Sequence, residues 1–394
     1  MRSVGDTGGP VVGGRYRRTR REFLKHSLYA AAGTAGAVSL MGLEDPIIAG
    51  SLGPRVFDVT AAPFRARGDG VHDDRPSIQA AIDAAHEAGG GIVWLPAGSY
   101  LLASVQEEPG IRFYLLDMRS AVSLEGAGIK RTILVAGAGM PDQTRVISTD
   151  GKVHLIRMAF TDFTVDGNAV NQPDAGCMIG IQCGATIGAV HERILIHDVK
   201  GSASGEGALF DSYGAVDSLY VECEAARSGQ GTTSSGFSAT MASNISYVDC
   251  KASGSTHWQG FTTYLSHGIR YLRCHGFGNG QRGLNCEEST DVAYRDCAAG
   301  GPGLGNRGDG FCLYKSSGVT LEACRSFGNL NGLINNGSGN VRVAGGEFSQ
   351  NRAAGLAFVT SADRAGTEIV VSPEVLSNMR GAIAVAGSVF GSLS

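Results

Sequence analysis

The sequence predicts an all-β solenoid, in which short strands wind into coils that stack on one another. Three observations predict it: a glycine–apolar pair that recurs every 22 to 29 residues, strands of alternating polarity between these pairs, and cysteines that recur at a similar spacing. A unit of this length cannot bury its own apolar face and must stack on its neighbours. An elongated surface of this kind suits an elongated ligand.

The glycine–apolar pairs are expected to occupy one position of the coil. They are Gly207-Ala208, Gly236-Phe237, Gly260-Phe261, Gly283-Leu284, Gly310-Phe311, Gly332-Leu333, Gly355-Leu356 and Gly381-Ala382. In the strand at residues 260–264, the period of two turns Phe261 and Thr263 inward and leaves Thr262 and Tyr264 outward. A second strand follows in each coil, as at residues 244–250, and residues 372–394 are expected to form a last coil and cap.

Five of the nine cysteines follow the repeat, at spacings of 23 to 27 residues: Cys223, Cys250, Cys274, Cys297 and Cys324. A residue that recurs at one position of every coil stacks on itself, so we expect a ladder of buried thiols, which behave as small hydrophobes. Disulfides or metal ligands are the alternative, but the spacing does not match paired C-x-x-C zinc ligands. Asn279, Asn329 and Asn351 recur in the turns, where Asn tolerates left-handed backbone and should stack likewise.

The opening module, residues 55–103, precedes the regular coils. A short strand at residues 55–59 and a turn-rich loop at residues 68–74 lead into a predicted helix at residues 76–88, with Asp73 or Asp74 as its cap and Asp69 in the turn. Its apolar face comprises Ile78, Ala81, Ile82 and Ala85, and Gly89, Gly90 and Gly91 end it. A helix laid over the open end of a solenoid would protect the edge strand from pairing with other chains.

These residues also resemble a known family. The run from Phe57 through residues 66–70, 73–74, 78–82 and 90–100 is similar to the N-terminal signature of the pectate-lyase-like superfamily, which includes proteins related to family 28 glycosyl hydrolases (polygalacturonases) and phage tailspikes. The resemblance implies a right-handed parallel β-helix that is secreted or surface-exposed and usually acts on polysaccharide. It leaves the reaction open, since lyases, hydrolases, epimerases and non-catalytic adhesins share this opening.

The first 47 residues are predicted to be an export signal and linker, followed by a single β-helix domain at residues 48–394, with its coils at 104–394. Arg20 and Arg21, followed by Phe23-Leu24-Lys25 and an apolar stretch at residues 28–43, resemble a bacterial twin-arginine signal, with cleavage expected between residues 37 and 50. We therefore expect the twin-arginine translocase as a partner and an extracellular, periplasmic or cell-surface location. The alternative, a membrane anchor, would be short for a stable span.

Charge narrows the range of partners. The whole chain has a formal net charge of −4; residues 1–47 hold 7 basic and 4 acidic side chains, which leaves 26 basic and 33 acidic ones and a charge of −7. With no basic stripe, nucleic acid is not an expected partner, and no stable membrane insertion is expected after signal removal. A polyanionic substrate would need a local basic patch or a bridging cation.

Outward positions on adjacent coils are predicted to form a binding patch, because neighbouring coils lie roughly 4.8 Å apart. Polar and aromatic side chains concentrate in the middle coils at the positions before, two after and four after each glycine. We expect substrate-binding roles for Tyr264, Tyr314, His257, Trp258, Gln259, Asn285, Lys315 and Asp211, with Asp211 placed in line with Tyr264 and Glu287. Carboxylates, amides and aromatic rings together suit sugars.

Carboxylates in this patch favour glycoside hydrolysis, which needs one acid and one carboxylate base or nucleophile. We predict Asp309 as the acid, Glu287 as its partner and Arg282 beside them. Asp309 and Glu287 are expected at opposite ends of adjacent strands, too far apart for a retaining pair unless their side chains converge.

Two other functions stay open. A lyase or epimerase acting on uronates would need a base such as Lys, Arg, His or Tyr beside a carboxylate that a cation or Arg neutralises, and five residues could serve: Arg282, His257, Tyr264, Tyr314 and Lys315. No metal ligands or cofactor are predicted, although Ca²⁺ would be expected of a lyase. A non-catalytic glycan-binding adhesin is the third reading. The turn at Asp166-Gly167-Asn168 is interpreted as structural.

Overall fold

A computed structural model describes residues 55–108, 112–149, 154–173, 178–201, 208–227, 235–370, 383–385 and 388–390. These residues form a parallel β-solenoid, which confirms the predicted fold class. The proposed signal and its cleavage site lie outside the described residues. Among the helices in the described ranges, none combines the length and apolar character that crossing a bilayer requires.

Each coil contributes strands to two sheets. The 13-stranded sheet contains, in chain order, Gln106–Glu108, Arg112–Met118, Thr144–Thr149, Met178–Gln182, Ala208–Asp211, Ser235–Thr240, Phe261–Tyr264, Leu284–Glu287, Phe311–Tyr314, Leu333–Asn336, Leu356–Phe358, Ile383–Val385 and Ser388–Phe390. Its pairs are parallel except the first and the last, where an antiparallel strand closes each end. Of the predicted last coil and cap at residues 372–394, the described residues are Ile383–Val385 and Ser388–Phe390, and the rest of that segment lies outside the described residues.

The 21-stranded sheet covers the opposite side of the core. Its strands are Val56–Asp58, Asp69–Asp73, Gly91–Leu95, Gly98–Leu102, Val122–Gly126, Thr132–Ala136, Ala159–Asp166, Val190–His197, Leu219–Val221, Glu224–Ala226, Ser246–Val248, Lys251–Ser253, His267–Leu272, His275–Phe277, Thr290–Arg295, Ala298–Gly300, Ser317–Glu322, Arg325–Phe327, Gly339–Ala344, Glu347–Ser349 and Thr367–Val370. Two further strands, Leu155–Ile156 and Thr186–Ile187, pair with each other. A 3₁₀ turn at Ala169–Asn171 follows the turn at Asp166, and a short helix spans Ser361–Ala365.

Strand register confirms the glycine repeat in its middle and corrects its ends. Phe237, Phe261, Leu284, Phe311, Leu333 and Leu356 are successive partners, so the six glycines before them occupy one coil position. The first pair is wrong, because Phe237 pairs with Phe210 and its glycine therefore aligns with Leu209 instead of Gly207. The last pair is off by one, because Leu356 pairs with Ile383.

The five repeat cysteines form the predicted ladder of buried thiols, and each is free. Four of the thiols lie against a backbone carbonyl oxygen of the preceding coil, at 3.4 to 3.6 Å: Cys250 against Tyr220, Cys274 against Tyr247, Cys297 against Tyr271 and Cys324 against Tyr294. Burial without a charged partner favours the protonated thiol. The ladder therefore packs the core.

Buried asparagines form a second ladder. The backbone N–H of Asn279 donates to Asn306 Oδ1 at 3.0 Å, that of Asn306 to Asn329 Oδ1 at 2.8 Å, and that of Asn329 to Asn351 Oδ1 at 3.1 Å. The predicted Asn stack is confirmed, and Asn306 is an additional member. Each amide satisfies a turn N–H that would otherwise be buried without a partner.

The opening helix, α1, spans Arg75–Glu87 and buries Ile78, Ala81, Ile82 and Ala85 as predicted. Of the two predicted caps, Asp74 occupies the N-cap position but its side chain caps no helix N–H. Its carboxylate instead accepts from the N–H groups of Arg67 (2.6 Å) and Gly68 (2.9 Å), which fixes the preceding loop. Asp73 accepts from the N–H of Arg75, the first residue of the helix, at 3.2 Å, and also from the backbone of Ala103 and Ser104.

An aromatic stack runs through the core beside the thiols. Phe160, His191, Tyr220, Tyr247, Tyr271 and Tyr294 follow one another on successive coils, with ring centroids 4.1 to 4.9 Å apart. His191 is fully buried between Phe160 and Tyr220, and its Nδ1 has no hydrogen-bond partner. Burial lowers the pKa of His191 from 6.5 to about 3.

His191 should make the fold sensitive to acid. Between pH 6.5 and 3 the unfolded chain binds a proton at this imidazole and the folded chain does not, so the free energy of unfolding should fall as the pH falls, by up to ~1.4 kcal/mol per pH unit from this group. His191→Phe keeps an aromatic ring in the stack and removes the titration. Urea unfolding at pH 7, 5 and 4 should show a shallower loss for the variant, and identical pH slopes would contradict this role.

Candidate active site

The outer face of the 13-stranded sheet carries three rows of side chains. The central row, in paired register, is Gln182, Asp211, Ser238, Thr262, Asn285, Cys312 and Ile334. The tyrosine row is Thr240, Tyr264, Glu287, Tyr314 and Asn336. The corner row consists of residues at the coil position immediately before the repeat glycine, and each accepts a backbone hydrogen bond from the glycine N–H of the preceding coil. Its members are Gln259, Arg282, Asp309, Asn331 and Ala354.

Arg282 connects the corner row to the central row. Its Nη1 donates to Asn285 Oδ1 at 3.2 Å, so the two rows face the same side of the sheet. On the next coil, Asp309 is only 9% exposed and accepts from Asn331 Nδ2 at 2.8 Å. Burial raises the pKa of Asp309, and the Asn331 hydrogen bond and the Arg282 charge oppose that rise. This places a cation beside a carboxyl group that holds its proton more strongly than usual.

Cys312 lies close enough to the two predicted catalytic carboxylates for the charges of both to act on its thiol. Although it belongs to the central row, it is only 3% exposed. Burial raises the pKa of Cys312 to about 12; the charge of Arg282 opposes this, and the charges of Asp309 and Glu287 add to it. The thiol therefore stays protonated at neutral pH, and its surroundings bring together the three residues predicted to be catalytic.

Tyr264, Glu287 and Tyr314 are consecutive members of the tyrosine row, so a carboxylate is flanked by a phenol on each side. All three are partly exposed. Lys315 lies at the rim, with its ammonium group 4.8 Å from the centre of the Tyr314 ring. The contact with Tyr314 raises the pKa of this exposed lysine, so it remains a cation, which favours binding an anionic substrate over acting as a base.

The turn before Gln259 forms one edge of the face. Trp258 is half-buried, its N–H donates to Ser255 Oγ at 3.1 Å, and its carbonyl oxygen accepts from the Gln281 N–H at 3.0 Å. His257 is exposed beside it. Gln259 is 2% exposed, and its Oε1 has no hydrogen-bond partner. This turn therefore brings an aromatic ring and an amide to the edge of the corner row.

Asp211 does not align with Glu287 as predicted. It pairs with Ser238 and so belongs to the central row, three coils from Asn285. Its Oδ2 accepts from Gln182 Nε2 at 3.1 Å. The error follows from the first glycine pair, which lies two residues ahead of the true repeat position. Asn331, which orients Asp309, is missing from the predicted site, although its place in the corner row could have identified it.

One acidic group in the described ranges has the geometry of metal ligands. Asp166, His197 and Asp198 place ligand atoms within 4.8 Å of one another. They lie at the ends of strands in the 21-stranded sheet, and Arg227 donates to both oxygens of Asp198 at 2.8 Å. Asn168 has the left-handed backbone of a turn residue, which agrees with a structural role for this segment.

The fold and the rows of its outer face define the class of parallel β-helix proteins. The chain belongs to the rhamnogalacturonase A/epimerase, pectate lyase-like family, whose model matches residues 59–297. This confirms the resemblance drawn from the opening module.

Relatives of known activity come from Azotobacter vinelandii. The chain is 36% identical to mannuronan C5-epimerase AlgE6 over 151 residues, which is 37% of this chain and 17% of that protein. It is 44% identical to mannuronan C5-epimerase AlgE4 over 117 residues, and 38% identical to alginate lyase 7 over 109 residues. The matches cover at most a fifth of these three relatives.

Solved structures agree on the fold. The A-module of the Azotobacter vinelandii mannuronan C-5 epimerase AlgE6 superposes with a TM-score of 0.61, and that of AlgE4 with 0.59. Both superpositions cover 86% of this chain and the whole of that module, at 20% sequence identity. At that identity the likeness supports the parallel β-helix alone.

Proposed function

We propose that this protein is an enzyme that acts on a uronate polymer, by C5 epimerisation or by the related elimination. The relatives favour this reading, which was an alternative in the sequence analysis, over the glycoside hydrolase first predicted. The observation that carries the proposal is the placement of Arg282 and Asn285 beside the row of Tyr264, Glu287 and Tyr314.

Both reactions begin by removing the proton at C5 of the uronate, next to its carboxylate. The carbanion that forms is stabilised only if the carboxylate charge is neutralised. Arg282 supplies that charge: its guanidinium has five N–H donors and spends one on Asn285. Burial raises the pKa of Asp309. When Asp309 carries its proton, it adds no negative charge close to the bound carboxylate.

Tyr264 and Tyr314 are the proposed proton-transfer groups. They lie two coils apart, roughly 10 Å along the sheet, on either side of Glu287. Epimerisation needs a group that takes the C5 proton from one face of the ring and a group that returns a proton to the other face. If the leaving oxygen at C4 receives the proton instead, the same start leads to elimination.

A second candidate is inverting hydrolysis by Asp309 and Glu287, whose charges both act on the Cys312 thiol. An inverting pair can stand about 6.5 to 9.5 Å apart. Hydrolysis has less support, because the relatives reported above are named as epimerases and a lyase.

One incubation separates these reactions. Polymannuronate is treated with the enzyme in D₂O and followed by proton NMR, by ultraviolet absorbance and by a reducing-end assay. Deuterium at C5 with an unchanged chain length indicates epimerisation, and a rise in absorbance indicates elimination. New reducing ends without either signal would contradict the proposal in favour of hydrolysis, and no change with any polyuronate would favour a binding protein.

We also propose that the chain works outside the cytoplasm after twin-arginine export, on the strength of Arg20, Arg21 and the apolar stretch that follows. A polymeric substrate is met there. Because this pathway carries folded proteins, the thiol ladder would leave the cell already packed in the core, away from oxidants. A requirement for Ca²⁺ stays a prediction attached to the elimination reaction.

A further inference from the structure

Two buried amide atoms on the outer face have no hydrogen-bond partner. Gln259 Oε1, an acceptor, lies in the corner row, and Asn285 Nδ2, a donor, lies in the central row one coil further on. The two side chains are 2% and 1% exposed. Leaving a buried polar group without a partner is unfavourable, so two of them on adjacent coils of one face indicate a missing ligand.

Arg282 fixes which atom of Asn285 is free. The guanidinium only donates, so the amide atom facing it must be the oxygen, and Nδ2 points away from it. Gln259 is the neighbour of Arg282 in the corner row, so its free acceptor belongs to the coil next to the one that carries Arg282 and Asn285. Arg282 thus has a free amide donor on its own coil and a free amide acceptor on the adjacent coil.

We propose that Gln259 and Asn285 form a subsite for one unsubstituted ring hydroxyl of the uronate whose carboxylate binds Arg282, an inference that rests on the proposed function. A hydroxyl donates one hydrogen bond and accepts others, so it satisfies Gln259 Oε1 and Asn285 Nδ2 together. A carboxylate only accepts and would leave Gln259 Oε1 unpartnered. The subsite therefore selects sugar units whose hydroxyl is free and rejects units in which it is an ether or ester.

A site built to hydrogen-bond a hydroxyl discriminates strongly against analogues that lack it, because its own buried groups are then left without partners. The consequence for the enzyme is substrate selection at the level of the single residue. Blocks of polymer that carry ring substituents would pass through the groove unmodified, while neighbouring free units react.

Binding can be measured without turnover through Trp258, which adjoins Gln259 in the chain. Fluorescence titration with polymannuronate oligomers would be compared for the native oligomer and one methylated at its ring hydroxyls. We expect the wild-type protein to bind the native oligomer at least about tenfold more tightly than the methylated one.

Two variants remove one partner each. Gln259→Met removes the acceptor at similar volume, and Asn285→Asp keeps the Arg282 contact but replaces the donor by an acceptor. Each should weaken binding of the native oligomer about tenfold more than it weakens binding of the methylated oligomer, so that the discrimination disappears. Asn340→Asp makes the same charge change on an exposed strand of the 21-stranded sheet and should preserve it. Thermal midpoints near the wild-type value show that the variants fold.

The outcomes distinguish a failure of the hydroxyl subsite from a failure of the proposed function. If the wild-type protein binds polymannuronate and both variants discriminate as it does, the hydroxyl subsite is overturned while the proposed function stands. A secondary amide, like a hydroxyl, offers both a donor and an acceptor, so it could satisfy Gln259 Oε1 and Asn285 Nδ2. Tighter binding of an N-acetylated polymer such as hyaluronan, lost in Asn285→Asp, therefore also overturns the hydroxyl subsite. Failure of the wild-type protein to bind or alter any polyuronate overturns the proposed function and this inference together.

Discussion

Arg282→Met should lower kcat/KM on polymannuronate by about 10²- to 10³-fold, the effect of removing one preorganised charge-stabilising group from an active site. The guanidinium is the cation that joins the central and corner rows, and a thioether cannot neutralise a carboxylate whose α-proton is being removed. The loss should fall mainly on kcat, because the negative charge develops in the transition state.

Two controls accompany this substitution. Arg273→Met removes an exposed arginine whose Nη2 pairs with Asp249 Oδ2 at 2.7 Å on the 21-stranded sheet, and it should leave kcat/KM unchanged. Arg282→Lys restores the positive charge without the fork of donors and should recover part of the activity. An Arg282→Met enzyme that keeps wild-type kcat, with matched thermal stability, would remove Arg282 from the mechanism.

Tyr271→Ala should lower the free energy of unfolding by about 3–5 kcal/mol, the cost of removing a large buried aromatic side chain. Tyr271 is in the middle of the stack, 4.9 Å from both Tyr247 and Tyr294, and its hydroxyl bonds to Thr263 Oγ1 at 2.6 Å. Alanine would open a cavity in which no neighbouring ring can relax without breaking the register of several coils.

Tyr271→Phe is the matched control. It keeps the ring in the stack and removes only the hydrogen bond to Thr263, so the loss should be about 1 kcal/mol. Urea unfolding followed by far-ultraviolet circular dichroism measures both variants. Equal losses for Ala and Phe would show that the hydroxyl, and not the stacked ring, carries the stability at this position.

Residues that repeat by type were the most predictable parts of the fold. The cysteine and asparagine ladders follow from spacing alone, since equal positions on stacked coils must touch. The tyrosine stack had the same signal: Tyr220, Tyr247, Tyr271 and Tyr294 each stand three residues before a ladder cysteine. The cysteine spacing alone does not predict this stack; the constant offset of three residues between each tyrosine and its cysteine does.

The site was partly predictable for the same reason. Stacking positions predict that Arg282, Asp309 and Glu287 lie near one another, and the charges of all three act on the pKa of Cys312. Asp211 was misplaced because Leu209, and not Gly207, occupies the repeat position of that coil, so a count from the glycine is two residues off. The burial of Gln259 and Asn285 was beyond the sequence, because period-two alternation predicts that outward side chains are exposed.

The choice of reaction was least predictable. Carboxylates, tyrosines and an arginine in one patch are compatible with hydrolysis and with proton abstraction, and the two differ in how side chains are placed around a sugar ring. Register places Tyr264 and Tyr314 on both sides of Glu287, an arrangement that suits the transfer of a proton across a ring.

The most direct measurement is the incorporation of deuterium at C5 of polymannuronate in D₂O, followed by mass spectrometry for the wild-type enzyme and for the Tyr264→Phe, Tyr314→Phe double variant. Phenylalanine keeps the rings and removes the two hydroxyls proposed to transfer protons. We predict incorporation by the wild-type enzyme and at least a hundredfold slower incorporation by the double variant at equal thermal stability. Equal rates would contradict the proposed active site, since proton transfer at C5 would then not depend on the outer face of the 13-stranded sheet.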